Sequence, residues 1–339
     1  MTRRQRVVEA LNHRETDLVP YNFECTLLQQ EKMEAALGTQ EFADKFGLHL
    51  HYLQYWGWPT EIVPGTQHFT DQFGVTWNRS GADKDIGVVD NPPIPDIENH
   101  SYTFPPIQEQ RLRQEIENFL AHRKDCFTFL GIGFSVFERA WSLMGMENTF
   151  MAMIANPKEL EGLLEGIYQY NSQILDIMLS YPLDAIYFGD DWGQQRGLMM
   201  GADHWRRFIK PVMKKLYARV KDRGLYVMQH SCGDIQEIFA ELIDIGLDCY
   251  QTFQPEIYDI EQIKKQYGNQ LSFWGGISTQ QLLPQGTPEQ VRKETIRIMK
   301  TMKPGGGYIA APTHAMSHDI PVENVLAMVD VFANQEKYL

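Results

Sequence analysis

The chain has little cysteine. Four residues in 339 (Cys25, Cys126, Cys232 and Cys249) are too few and too scattered for a disulfide framework, so the expected setting is reducing and cytoplasmic. Basic residues are not in excess either. The 31 Lys and Arg against 44 Asp and Glu leave a net charge of −13, which argues against non-specific binding to nucleic acid or to an anionic membrane. No apolar run is long enough to span a bilayer. The basic, amphipathic start from Met1 to Leu11 lacks a signal-peptide core, and Glu9, Glu15 and Asp17 speak against organellar import. A phosphate-binding glycine loop is also missing, because Gly305-Gly306-Gly307 precedes a strand-like run instead of following one. What is present is an ordinary globular composition, 43% hydrophobic and 22% charged, with ample material for a core.

Short apolar runs alternate with longer amphipathic stretches. Eight runs read as buried strands: 18–23, 49–55, 126–131, 184–189, 226–230, 248–253, 271–276 and 307–312. Repeated βα units imply a parallel sheet, and eight of them fit an α/β fold of the closed (β/α)8 TIM-barrel type better than an open Rossmann sheet. Residues 56–106 interrupt the alternation, and within them Phe69 to Arg79 reads as a β-hairpin. This stretch has too few apolar runs for a core of its own. The expectation is one domain over residues 1–339, with a long hairpin-containing insertion after strand two.

In such barrels the active site lies at the carboxyl ends of the strands. The expected ends bring together Asn22 and Glu24, then Glu138, then Asp190-Asp191-Trp192, then His230-Ser231-Cys232, then Gln251 and Gln254, and finally His314. His230 and Cys232 sit two residues apart, so an imidazole and a thiol face the same way at one strand end, a geometry suited to zinc. Alone, such a pair is more often a hydrogen-bonded histidine and a buried cysteine at a tight turn. His314 across the rim supplies a third ligand, and three ligands with an open position is the pattern of a catalytic zinc. Glu24, Asp190 and Asp191 are the candidate acid–base groups. Asn22, Glu138, Trp192 and Gln254 are the candidate substrate contacts. Plainer roles compete with these: one of Asp190 and Asp191 as a helix cap, Glu138–Arg139 as a rim ion pair, Trp192 as packing. The aromatics Tyr55, Trp56, Trp58, Phe137 and Trp192 near the rim suit a flat or methylated ligand.

Several stretches together resemble the uroporphyrinogen decarboxylase superfamily, nearly end to end. They are the opening Arg3-to-Pro20 segment, Asp71-Gln72-Phe73-Gly74-Val75, Gly189-Asp190-Asp191-Trp192-Gly193, His230-Ser231-Cys232-Gly233, and Ala311-Pro312-Thr313-His314 through Pro321-Val322-Glu323-Asn324. That superfamily divides into haem-pathway decarboxylases and corrinoid-linked methyltransferases. The decarboxylases carry an Arg-Gln-Ala-Gly-Arg type motif after strand one, whose arginines hold substrate carboxylates. Here Glu24-Cys25-Thr26-Leu27-Leu28-Gln29-Gln30 follows instead, without an arginine and with an acid that repels carboxylates. The methyltransferases carry His-x-Cys after strand five and a cysteine after strand eight, which together bind zinc. His230 and Cys232 match the first pair, and His314 stands where the last cysteine would be, a competent ligand of lower charge.

The resemblance implies a zinc-dependent methyltransferase. It would move a methyl group between a corrinoid (cobalamin), presented by a separate corrinoid-binding protein, and a small-molecule donor or acceptor. Two other readings stay open: a decarboxylase of uroporphyrinogen or a related acid of tetrapyrrole biosynthesis, and a ligand-binding barrel without turnover. A homodimer is the default assembly.

Overall fold

The computed structural model describes residues 1–39, 45–62, 65–81 and 87–339. Seven parallel strands form one curled sheet. Across the sheet they run Leu50–Tyr55, Phe127–Ile132, Ala185–Gly189, Tyr226–His230, Cys249–Thr252, Ser272–Ile277 and Tyr308–Pro312, each hydrogen-bonded to the next. These are seven of the eight expected strands. The expected first strand is reduced to a single parallel bridge, Tyr21 to Ala310. Its backbone is nonetheless held on both sides. Ala310 N–H donates to Pro20 O (2.8 Å), Asn22 N–H to Ala310 O (3.0 Å) and His49 N–H to Tyr21 O (3.1 Å). Pro20 has no N–H to add to the ladder, which shortens the pairing to these few bonds.

The strands are apolar on both faces because both are covered. Helices lie outside. Inside the curl, Leu50, Phe127, Phe129, Met228, Trp274 and Ile309 pack together with Val7 and Leu11 of the opening helix Arg3–Leu11. That helix begins with a capping box between Thr2 and Gln5. The filled end leaves the opposite, carboxyl ends of the strands for a site.

A second sheet of four antiparallel strands, Pro59–Ile62, His68–Asp71, Thr76–Asn78 and Val88–Asn91, follows the Leu50–Tyr55 strand. Asp71 ties its central turn, accepting from Phe73 N–H (2.8 Å), Val75 N–H (3.1 Å) and Trp77 Nε1–H (2.9 Å). Between the Ala185–Gly189 and Tyr226–His230 strands a helical stretch contains one π-turn, Trp205–Ile209, before helix Lys210–Lys221. Pro211 cannot donate the regular bond there, so the wider turn absorbs the loss. Among the described residues no helix is long and apolar enough to cross a membrane.

Candidate metal centre and substrate cavity

The Tyr226–His230 strand ends in a turn that the sequence makes unusually tight. Gly233 has φ +79°, and a Cβ there would fall 2.2 Å from the Gly193 carbonyl carbon. A Cβ on Gly193 would in turn come within 2.6 Å of the Gly233 carbonyl carbon, so the two loops pack backbone on backbone. Ser231 points into the protein, where its Oγ accepts from Trp192 N–H (2.9 Å). Its neighbours on either side, His230 and Cys232, therefore point the other way.

Gln251 fixes the His230 ring. Its Oε1 accepts from His230 Nδ1–H and from the Tyr187 hydroxyl, while its Nε2 donates to Thr313 O (3.2 Å). One amide thus holds the first histidine and the residue before His314. Nε2 of His230 is left facing Cys232 Sγ at 3.5 Å and an Asp191 oxygen at 3.2 Å. The His314 ring stands 5.7 Å from that of His230, at 70°. Donor atoms of His230, Cys232 and His314 lie within 4.8 Å of one another.

Three acids border this cluster. Asp191 accepts from Cys232 N–H (2.7 Å). Burial pushes its carboxyl up, but His230, the Cys232 N–H and His314 outweigh that and hold it at about 2. His230 is pushed down by burial, yet Cys232 and Asp191 bring it well above the usual histidine range. Burial raises the Cys232 thiol, with His230 opposing. Glu24 opens onto the cavity, but protein surrounds that space. The loss of bulk water raises its carboxyl to about 7, with His230 opposing. Glu138 goes further in the same direction, through burial and the nearby Asp191 and Asp190 carboxylates.

Asp190 has a different place. Its carboxylate accepts from the N–H groups of Val136 (3.2 Å), Phe137 (3.0 Å) and Glu138 (2.8 Å), and from Trp192 Nε1–H (2.6 Å). It caps helix Phe137–Met144, and its fully buried carboxyl is raised to about 6 despite those donors. These contacts make it a positioning residue for Glu138 and not an acid–base group at the cavity. Trp192 is buried against Trp205, ring centroids 5.7 Å apart. Asn22 is buried and lines neither cavity described below. The plainer alternative, a Glu138–Arg139 rim ion pair, does not form. Both residues border the cavity, but Arg139 is buried and turned toward Asp71 (3.7 Å) and the Phe73 ring (3.7 Å from its centroid). Adjacent helical residues point about 100° apart, which separates them.

The larger cavity, about 500 Å³, is bordered by His230, His314, Asp191, Glu24 and Glu138 on one side. Trp56, Trp58, Trp77, Phe134 and Trp274 are among the aromatics of its walls. A second, polar cavity of about 370 Å³ adjoins it on the Cys232 side, with Gln254, Thr252, Thr279 and Thr313. His314 borders both. The sequence reading placed Trp56 and Trp58 at the rim, and both line the cavity; Tyr55, Phe137 and Trp192 are core residues. It missed Tyr52 and Trp274, which project inward from strands, and Phe134, a residue with φ +52° just past a strand end. Strand geometry puts Tyr52 and Gln54 on one face, but residues 50–55 do not alternate apolar with polar, so no local signal marked that face as inward.

Residues 74–335 match the profile of the family described as uroporphyrinogen decarboxylase (URO-D). The chain belongs to the uroporphyrinogen decarboxylase family. Among curated relatives it is 22% identical, over 57% of its length, to a methylated-thiol–coenzyme M methyltransferase of Methanosarcina mazei. It is 24% identical, over 54% of its length, to the uroporphyrinogen decarboxylase of Wigglesworthia glossinidia brevipalpis. The matched stretches span about half the length of either relative (49%). A solved methyltransferase from Methanosarcina mazei shares the fold, with a TM-score of 0.75, 20% identity and 100% of each chain covered.

Proposed function

We propose that this member of the uroporphyrinogen decarboxylase family is a zinc-dependent methyltransferase, working with a corrinoid on a separate carrier protein and with a small methyl donor or acceptor. The observation that carries the reading is the convergence of His230, Cys232 and His314 within 4.8 Å at an aromatic-lined cavity. Two nitrogens and one sulfur suit zinc, and the hold of Gln251 on Nδ1 leaves His230 Nε2 directed at the cluster. Bound there, zinc would supply Lewis acidity toward a substrate sulfur, oxygen or nitrogen.

The residues around the cluster set the rest. Asp191 orients His230 and the Cys232 backbone. Glu24 and Glu138, both shifted toward the neutral acid, hold protons where a leaving group or an acceptor would need one. The aromatic walls keep bulk water from the reacting atoms. With imidazole in place of a second thiolate, the donor set carries less negative charge, which favours a stronger Lewis acid. We also read the sheet and the Pro20–Asn22 segment as one closed eight-fold barrel, residues 56–106 as an insertion, and the whole chain as one cytoplasmic domain that forms a homodimer.

Metal analysis of protein purified without chelator tests the reading. Close to one zinc per chain is expected, lost in His230→Ala and Cys232→Ser. Demethylation of methylcobalamin with a panel of thiols and tetrahydrofolate tests the transfer. Zinc-free active protein, or robust conversion of uroporphyrinogen to coproporphyrinogen, would overturn it. Arg79 and Arg139 also border the cavity, but its metal side carries the acids Glu24, Glu138 and Asp191, which speak against a polycarboxylate ligand there.

A further inference from the structure

Gln251 holds His230 from inside the curl of the sheet. Its neighbour Tyr250 lies on the same strand, Cys249–Thr252, and consecutive strand residues face opposite sides, so the Tyr250 ring points behind the sheet. There it is fully buried, with the Phe239 ring 5.0 Å away between centroids. Tyr258, from the loop before helix Ile260–Tyr267, enters the same cluster. It is buried 5.6 Å from Phe239 and stacks on Phe253 at 5.8 Å. Phenylalanine would satisfy this packing at both positions. A hydroxyl in such surroundings costs free energy unless it is hydrogen-bonded. Both hydroxyls are bonded, and both to one turn.

Tyr250 donates to Ser231 O (2.8 Å) and has Gly233 O at 3.3 Å. Tyr258 donates to Gly233 O (2.8 Å) and accepts from Ile235 N–H (3.0 Å). The two hydroxyl oxygens are 3.0 Å apart, so they act as one unit. The backbone of Gly193 blocks the turn on another side. Asp191 accepts from Cys232 N–H (2.7 Å) and Gln254 from Gly233 N–H (3.0 Å). The chain is therefore fixed before and after Cys232, and Cys232 Sγ stands 3.5 Å from His230 Nε2. Bonds of about 2.3 Å from sulfur and about 2.0–2.1 Å from nitrogen to one tetrahedral zinc call for a separation of about 3.5 Å. Such sites tolerate misplacement of about 0.5 Å, so the seating of this turn decides whether the thiol reaches.

We propose that Tyr250 and Tyr258 are positioning residues for the metal centre: their hydroxyls clamp the 231–235 turn from behind the sheet and hold Cys232 at ligand distance. The inference rests on the zinc reading of the cluster.

The test compares Tyr250→Phe and Tyr258→Phe with Tyr308→Phe in the full chain. Tyr308 is equally buried and donates to Gly275 O (2.9 Å), but it lies at the starting end of its strand, Tyr308–Pro312, away from the turn. All three changes remove one buried hydroxyl and keep the ring. Zinc affinity, by competition with a chromophoric chelator, should fall about tenfold in each clamp variant and stay within about twofold of wild type in Tyr308→Phe. With cobalt(II) in place of zinc, the thiolate-to-cobalt absorption band should weaken in the clamp variants alone. In metal-free protein, backbone amides of 232–235 should exchange about fivefold faster in the clamp variants and not in Tyr308→Phe. Each clamp variant decides by itself. A folded one with zinc affinity within about twofold of wild type overturns the inference, even where exchange is faster, because the hydroxyl then serves the fold alone. An equal loss of affinity in Tyr308→Phe overturns it too. Wild type that takes up no zinc refutes the proposed function instead. The clamp is then judged by exchange in metal-free protein, and unchanged rates at 232–235 refute it.

Discussion

Replacing Gln251 with leucine tests how the cluster is held. The amide accepts from His230 Nδ1–H and the Tyr187 hydroxyl and donates to Thr313 O. Leucine fills similar space and makes none of these bonds. Two buried donors lose their acceptor, at about 1–3 kcal/mol each, so the fold should lose about 2–6 kcal/mol. The His230 ring is then free to turn, and the segment before His314 loses its tether. Outer partners of metal-bound histidines typically contribute about 10–100-fold in affinity. Zinc affinity, read by competition with a chromophoric chelator, should fall by that factor, with thermal unfolding recorded on the same protein. Gln251→Glu keeps an acceptor for both donors and sacrifices only the Thr313 bond, so it should recover most of the affinity. A folded Gln251→Leu that binds zinc within about twofold of wild type would refute the reasoning.

Asp190→Asn should cost about 2–4 kcal/mol in urea unfolding, because an amide group must face N–H donors that a carboxylate satisfied; an unchanged midpoint would remove its capping role. Glu24 has a folded-state value of about 7 against an ordinary 4.5, so its protonated form favours folding. Its contribution is complete below 4.5 and is lost as pH rises through 7; melting of metal-free protein should fall across that window, and less so in Glu24→Gln. His49 is 2% exposed, neither ring nitrogen has a hydrogen-bond partner among the described residues, and burial followed by Arg6 and Arg3 lowers it to about 3 from 6.5. Its contribution is present above 6.5 and is lost as pH falls, at about 1.4 kcal/mol per pH unit. Urea midpoints should show this slope in wild type and not in His49→Phe.

Much of the fold was legible because a parallel sheet buried on both faces leaves continuous apolar runs in the sequence. Seven runs became strands. The eighth failed where Pro20 removes a ladder donor, a local signal that was visible and under-weighted. The site was legible only as a set of strand ends. His230 and Cys232 are two residues apart, so their alignment is local. His314 joins them through the curl of the sheet, which no local pattern specifies.

The paired acids at one strand end show where sequence reasoning stops. Asp190 and Asp191 are neighbours with the same chemistry, and consecutive residues at a strand end face opposite sides. One meets the start of a helix 52–54 residues earlier in the chain; the other meets His230 and Cys232. Which does which depends on where that helix docks. The same holds for Glu138 and Arg139, neighbours in sequence whose side chains part on the helix, Glu138 toward the Asp190 and Asp191 carboxylates and Arg139 toward Asp71 and Phe73. Gly133 is harder still: it reads as a turn glycine after a strand, and its use is to leave room for an indole 77 residues away. Each of these decides what the cavity accepts. Glu138 faces inward because Asp190 holds its backbone, and Trp56 faces inward because Gly133 has no side chain. The shape of the cavity is therefore set in part by residues that do not line it, and a search confined to lining positions would miss Asp190 and Gly133.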